Sequence, residues 1–197
     1  MKKNITSFIL GIAVLTSGFS QTRYVDEVFG SVDVTTDVVY GQNFSVLAGT
    51  PIPTGMAGTP IPALAFDFYE PTGDTETERP LIIHLHTGTF APIVHNGNPT
   101  GLRQDFATNA ICEDYAKRGY VVANIEYRLG WNPAAETQSE RAASLMKAVY
   151  RAIQDTKAAV RYFRKDYTDN GNTLFSTITF VICAVVASRP STMDACL

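Results

Sequence analysis

Residues 84–90 read His-Leu-His-Thr-Gly-Thr-Phe, and this spacing offers two kinds of chemistry. His84 and His86 lie two apart at the end of an apolar run, so on a strand their imidazoles share a face. Two ring nitrogens make only part of a metal site. The nearby candidates for a third ligand are Glu126 and His95, and the resulting spacing matches no zinc pattern. No metal and no cofactor is therefore expected. The second possibility lies in the backbone. A turn through Gly88 and Thr89 could offer amide N–H groups to a carbonyl oxygen that is gathering negative charge, the main electrostatic aid in acyl transfer. Thr89 is β-branched, which resists φ above zero.

One way to present a serine nucleophile is a sharp strand-to-helix turn, which needs glycine on both sides. The chain contains no Gly-x-Ser-x-Gly. Ser188 follows an apolar run but is itself followed by Arg189 and Pro190, without those glycines. No catalytic nucleophile, acid or base is assigned.

The elements that must position these residues are legible from periodicity. Gln21 to Asn43 alternates polar and apolar residues around Val32, Val34, Val38 and Tyr40, predicting short antiparallel strands. Gly49-Thr50-Pro51-Ile52-Pro53 recurs as Gly58-Thr59-Pro60-Ile61-Pro62. Two copies are too few for a repeat architecture, and the prolines forbid a central strand, so Leu47–Pro62 reads as a loop. Leu64–Tyr69 is a β-rich run before a turn at Pro71–Asp74. Leu81–Leu85 and Val121–Ile125 are almost continuously apolar, as strands covered on both faces are. One helix is expected over Asp105–Arg118, with Phe106, Ala110, Ile111, Tyr115 and Ala116 on one side and Gly119 closing it. A longer one, over Ser139–Lys165, follows the capping-box spacing Thr137-Gln138-Ser139-Glu140. In it Leu145, Val149, Ala152, Ile153, Thr156, Val160 and Phe163 recur at three- and four-residue steps. Strands alternating with helices predict an α/β fold with a mostly parallel sheet, crossover helices and antiparallel N-terminal strands. The two apolar strands are expected to be adjacent and central. Glu126 and Arg128 would face one way and pair with neighbours.

Four segments occur in an order that resembles the secreted bacterial α/β-hydrolases of carboxylesterase and lipase type. They are Asp67-x-Tyr69-x-Pro71-x-Gly73-Asp74, His86-Thr87-Gly88-Thr89-Phe90, Tyr127-Arg128-Leu129 and the Asp155–Arg164 part of the long helix. The resemblance runs from about Val34 to Asn172. His86, Gly88 and Phe90 match the family's His-Gly-Gly-Gly-Phe, with Thr at 87 and 89. It implies that the backbone amides of Gly88 and Thr89 form an oxyanion hole. His86, Phe90, Tyr127 and Arg128 would support the loop, and His86 would not be the general base. The family places a serine elbow on the next strand and its acid and histidine later, but here the match stops after Asn172. The resemblance thus implies an incomplete α/β-hydrolase fold, from a product cut short or shifted in frame and inactive. An exposed sheet edge and self-association would follow. Two alternatives stay open: a non-catalytic secreted binding or structural domain, and a prolyl-peptidase-like hydrolase fragment. In the family the partner is a small-molecule ester.

Composition narrows the classes. At 197 residues with 45% hydrophobic and 18% charged content, the chain has enough apolar material for about one domain. A net charge of −3 with no basic cluster argues against nucleic acid. Lys2, Lys3 and the apolar run Ile5–Val14, with Gly18 and Ser20 before Gln21, predict a secretory signal over residues 1–20 cleaved after Ser20, and a secreted or periplasmic protein. That run is too short for a stable membrane span. The expected division is a signal peptide at 1–20, the hydrolase-like part at 21–172 and a divergent apolar tail at 173–197. Cys112, Cys183 and Cys196 form no Cys-x-x-Cys pair, and Cys112 reads as a small buried hydrophobe.

Overall fold

A computed structural model describes residues 22–43, 63–92, 101–170 and 178–185, the last segment as backbone. The leader, the duplicated Pro-rich stretch, His95, Ser188 and Cys196 lie outside the described residues. Five strands and two helices follow in the order β1 (Val32–Gln42), β2 (Ala63–Pro71), β3 (Arg79–Leu85), α1 (Phe106–Lys117), β4 (Val121–Ile125), α2 (Gln138–Asn170) and β5 (Ile178–Val185).

The strands form one sheet in the order β1-β2-β4-β3-β5. β1 pairs antiparallel with β2 and β2 antiparallel with β4, while β4, β3 and β5 run parallel. Leu81–Leu85 aligns residue for residue with Val121–Ile125, so the two apolar strands are adjacent, parallel and central as expected. The sheet as a whole is mixed rather than mostly parallel, because the N-terminal half contributes two antiparallel pairings. In place of several short N-terminal strands, β1 is one long strand whose register shifts twice. Asp37, at the first shift, has φ 59° and donates its N–H to Asp67 Oδ1 at 3.0 Å. The bulge lets one strand bend where separate strands were expected.

Residues alternate between two cores. Leu81, Ile83, Leu85, Val121, Ala123 and Ile125 join Phe66, Phe68 and Phe163 against α2. Ile82, Val122 and Tyr69 meet Cys112 and Ala116 of α1 on the other face. The period of two in each strand therefore feeds both layers, which is why β3 and β4 read as unbroken apolar runs. Burying each large side chain here is worth about 1.5–3 kcal/mol.

The helix spans were legible, but their faces differ from the expectation. α1 buries Thr108, Cys112 and Ala116, whereas Phe106 is 89% exposed. Small residues four apart let this helix approach the sheet closely, and Phe106 at its start points away from the core. Burial pushes the Cys112 thiol well above its ordinary value, in keeping with a packing role. Along α2 the buried line is Ala148, Ala152, Asp155, Ala159 and Phe163, and Ile153 is 48% exposed. The capping box forms as expected: Glu140 N–H donates to Thr137 Oγ1 at 3.2 Å, and Thr137 N–H returns to Glu140 Oε2 at 3.1 Å. No helix among the described residues is long and apolar enough to cross a membrane.

Candidate functional site

Where β3 ends, the chain turns over the edge of the sheet in an unusual conformation. Gly88, Thr89 and Phe90 have φ of 121°, 52° and 60°. The expectation that a β-branched residue avoids positive φ fails at Thr89. Holding a non-glycine residue there costs on the order of 1–3 kcal/mol and survives only where neighbours over-determine it.

The neighbours are identifiable. Tyr127 donates its hydroxyl to the His86 carbonyl at 2.7 Å. Gly130 and Trp131 both donate N–H groups to the Phe90 carbonyl at 2.8 Å. Gly88 abuts Gly101 so closely that a Cβ would lie 2.7 Å from the Gly101 Cα. The Tyr127 ring stacks on His86 at 4.4 Å between centroids and meets Phe90 edge-on at 5.9 Å. Burial raises the Tyr127 hydroxyl above its ordinary value, with Glu126 adding to the shift, so it remains a donor.

Two peptide planes matter most, because a trans peptide points its C=O and N–H in opposite directions. The Thr87 carbonyl is held by His86 Nδ1 at 2.7 Å, which aims the N–H of Gly88. The Gly88 carbonyl accepts from Ala91 N–H at 3.0 Å and from the Thr89 hydroxyl at 2.8 Å, which aims the N–H of Thr89. Thr in place of Gly at 89 thus adds strain and also a hydroxyl anchor. Among the described residues no acceptor is found for the N–H of Gly88 or Thr89. Two adjacent donors are therefore oriented by their own carbonyls, with no acceptor among the described residues.

Beneath the loop, on the α1 side, lies a polar cluster. Arg103 pairs with Asp67 and, at 2.6 Å, with Asp37. Burial opposes the Arg103 charge, but these carboxylates outweigh it and raise the guanidinium above its ordinary value. Glu126 lies 3.5 Å from His86 Nε2 and 3.9 Å from Arg103 Nε. Asn124 donates to the Arg103 carbonyl at 2.8 Å, leaving its oxygen to face His84 Nδ1 at 3.3 Å. Burial lowers the His84 basicity, so this ring stays neutral. Among the described residues no group of three or more His, Cys, Asp or Glu could hold a metal ion.

Arg128 turns to the other side. Its Nε, NH2 and backbone N–H all reach Asp155 of α2, at 2.7–3.0 Å. Glu126 and Arg128 thus do not share a face, because the strand geometry ends at Ile125. Of the residues singled out in the sequence, His86, Gly88, Thr89, Phe90 and Tyr127 come together, and Arg128 anchors the segment behind them. Sequence reasoning missed Arg103 and Asp37 and gave Asp67 no role at the site. The one available signal was Asp67, a carboxylate within the apolar run of β2.

No family model and no curated protein matches the sequence. The chain is similar to a solved esterase B from Lactobacillus rhamnosis, inhibited by a C4-C4 SN3 tributyrin phosphonate. The TM-score is 0.43 and the identity 18%, over 94% of this chain and 46% of that one. It is also similar to a bacterial heroin esterase, at TM-score 0.38 and 15% identity over 91% of this chain and 40% of that one. The chain spans less than half the length of either structure. At these scores neither likeness establishes a fold, which rests on the topology above.

Proposed function

We propose that the Gly88–Phe90 loop is the oxyanion-stabilising part of a carboxylic ester hydrolase site of the α/β-hydrolase type. The reading is carried by the two adjacent open N–H groups of Gly88 and Thr89, whose carbonyls are anchored. Their place supports it too: in such enzymes one oxyanion donor comes from the loop between β3 and the first helix. As a nucleophile adds to an ester carbonyl, the π electrons move onto oxygen, and donors already in position stabilise that charge without reorganising. Loss of one such donor is worth about 2.7–4 kcal/mol of barrier. His86, Phe90, Tyr127 and Arg128 hold the loop, and none of them is placed to take the nucleophile's proton.

Leu85 is in register with Val185, so the C-terminal end of β5 lies beside the start of the loop. A serine elbow at that strand end would face the open amides. The sequence there continues Val186-Ala187-Ser188-Arg189-Pro190, without the flanking glycines. That absence favours a second reading, a binding or structural domain that retains the hydrolase front without turnover. In either case we propose a single hydrolase-like unit that starts at 21 and, beyond the boundary at 172 expected from the sequence, takes in β5, exported behind a leader at 1–20.

The chain is expected to show no hydrolysis of short-chain p-nitrophenyl esters above background, because an oxyanion hole without its nucleophile leaves only a residual effect. Turnover that disappears in Ser188→Ala would contradict this and make Ser188 the nucleophile. Turnover that survives that change but is lost with a chelator would reopen a metal at His84 and His86.

A further inference from the structure

We infer that Glu126 is a positioning residue for the oxyanion loop, acting through a His86 ring that carries hydrogen on both nitrogens. The inference rests on the oxyanion reading for its purpose, but its geometry stands apart from that reading.

His86 Nδ1 lies 2.7 Å from the Thr87 carbonyl oxygen. A carbonyl only accepts, so Nδ1 carries a hydrogen whenever this bond is made. A neutral ring would then present a bare lone pair at Nε2. That atom is buried, has no hydrogen-bond partner among the described residues, and lies 3.5 Å from Glu126 Oε1. A buried lone pair facing a carboxylate is repelled by it, even though the Glu126 side chain is 28% exposed. A proton taken from water onto Nε2 turns the same contact into an imidazolium–carboxylate pair.

The surroundings favour that proton. One guanidinium, Arg103, faces three carboxylates, those of Glu126, Asp67 and the more exposed Asp37, which leaves the cluster negative. His84, two residues back, is held neutral by burial and does not compete for the charge. The Tyr127 ring lies nearly parallel to His86 at 19°, offering its π face to a cation. Asn124 faces His84 and the Arg103 carbonyl and is uncharged. A charged ring donates more strongly through Nδ1, so Glu126 tightens the Thr87–Gly88 peptide plane and the Gly88 N–H it aims.

The test uses the full chain labelled with ¹⁵N-histidine, read by long-range ¹H–¹⁵N correlation of the imidazoles at pH 7 and by ¹⁵N relaxation at Gly88 and Thr89. The three histidines allow assignment by single substitution. Wild type should show both His86 ring nitrogens protonated. Glu126→Gln, which keeps the side-chain shape, should lose the Nε2 proton, keep hydrogen on Nδ1, and loosen the Gly88 amide. Glu126→Ala should do the same, and if it fails to fold the Gln variant carries the test. A wild-type ring protonated only at Nδ1, or ring signals unchanged by either variant, would overturn the inference. If ring and amide follow Glu126 while a tetrahedral anion fails to bind, the positioning stands and the ester reading fails.

Discussion

Asp155→Ala should destabilise the protein by about 3–5 kcal/mol, the cost of leaving one member of a buried ion pair without its partner. Asp155 accepts the Arg128 guanidinium and the Arg128 backbone N–H together, and both side chains are nearly inaccessible. Removing the carboxylate takes the opposing charge from a guanidinium that keeps Gln154 Oε1 at 3.3 Å, and it orphans an amide. It also leaves Arg128 beside Arg151, whose basicity burial and Arg128 already depress and Asp155 partly restores. With small domains stable by about 5–15 kcal/mol, the loss is a large fraction of the whole. Urea unfolding midpoints check it. The double change Arg128→Met with Asp155→Leu should recover most of the loss, since apolar replacement of a buried pair is often neutral. A loss below about 1 kcal/mol for Asp155→Ala would mean that the pair is solvated.

Gly88→Ala should cost roughly 2–6 kcal/mol, from two sources that act together. At φ 121° an alanine is strained, by on the order of 1–3 kcal/mol. Its Cβ would also meet backbone, the Gly101 Cα at 2.7 Å and O at 3.2 Å, which cannot rotate aside as a side chain can. Overpacking of this kind typically costs about 1–3 kcal/mol. Gly73→Ala is the control, because Gly73 has φ 75° with nothing within 4 Å of the added atom. Equal losses at 73 and 88 would remove the close approach to Gly101 from the account. A larger loss at 88, with the Gly88 and Thr89 amide resonances displaced, is the expected outcome.

The central strands and both helices were legible because burial on two faces writes an unbroken apolar run, and capping writes a fixed spacing. Val121–Ile125 coincides with β4, and Thr137 and Glu140 cap α2 as their spacing predicts. Helix faces were less legible. Ala148, Ala152 and Ala159 lie on the buried line while Ile153 points partly outward. Close approach to a sheet favours small side chains, so the expected stripe held at Ala152 and Phe163 but took in Ile153 and missed Ala148, Asp155 and Ala159. At the site, His86, Gly88 and Phe90 were marked by their resemblance to a family motif, but the anchors were not. Thr89 looked like a defect by its β-branch, and its hydroxyl bond to the Gly88 carbonyl depends on a backbone twist that no pattern encodes. Arg103 was invisible because its partners Asp37 and Asp67 are 66 and 36 residues away in the chain.

The central claim is that Gly88 and Thr89 present two preorganised amides to a developing oxyanion. A ¹H–¹⁵N titration of the full chain with butylphosphonate, a tetrahedral anion that needs no nucleophile to bind, tests it most directly. The account predicts that the Gly88 and Thr89 amide protons shift downfield together and saturably, and that Gly88→Ala abolishes both shifts. Saturable shifts centred on Arg103 or Arg128 with Gly88 and Thr89 unmoved, or no binding at either amide, would contradict it.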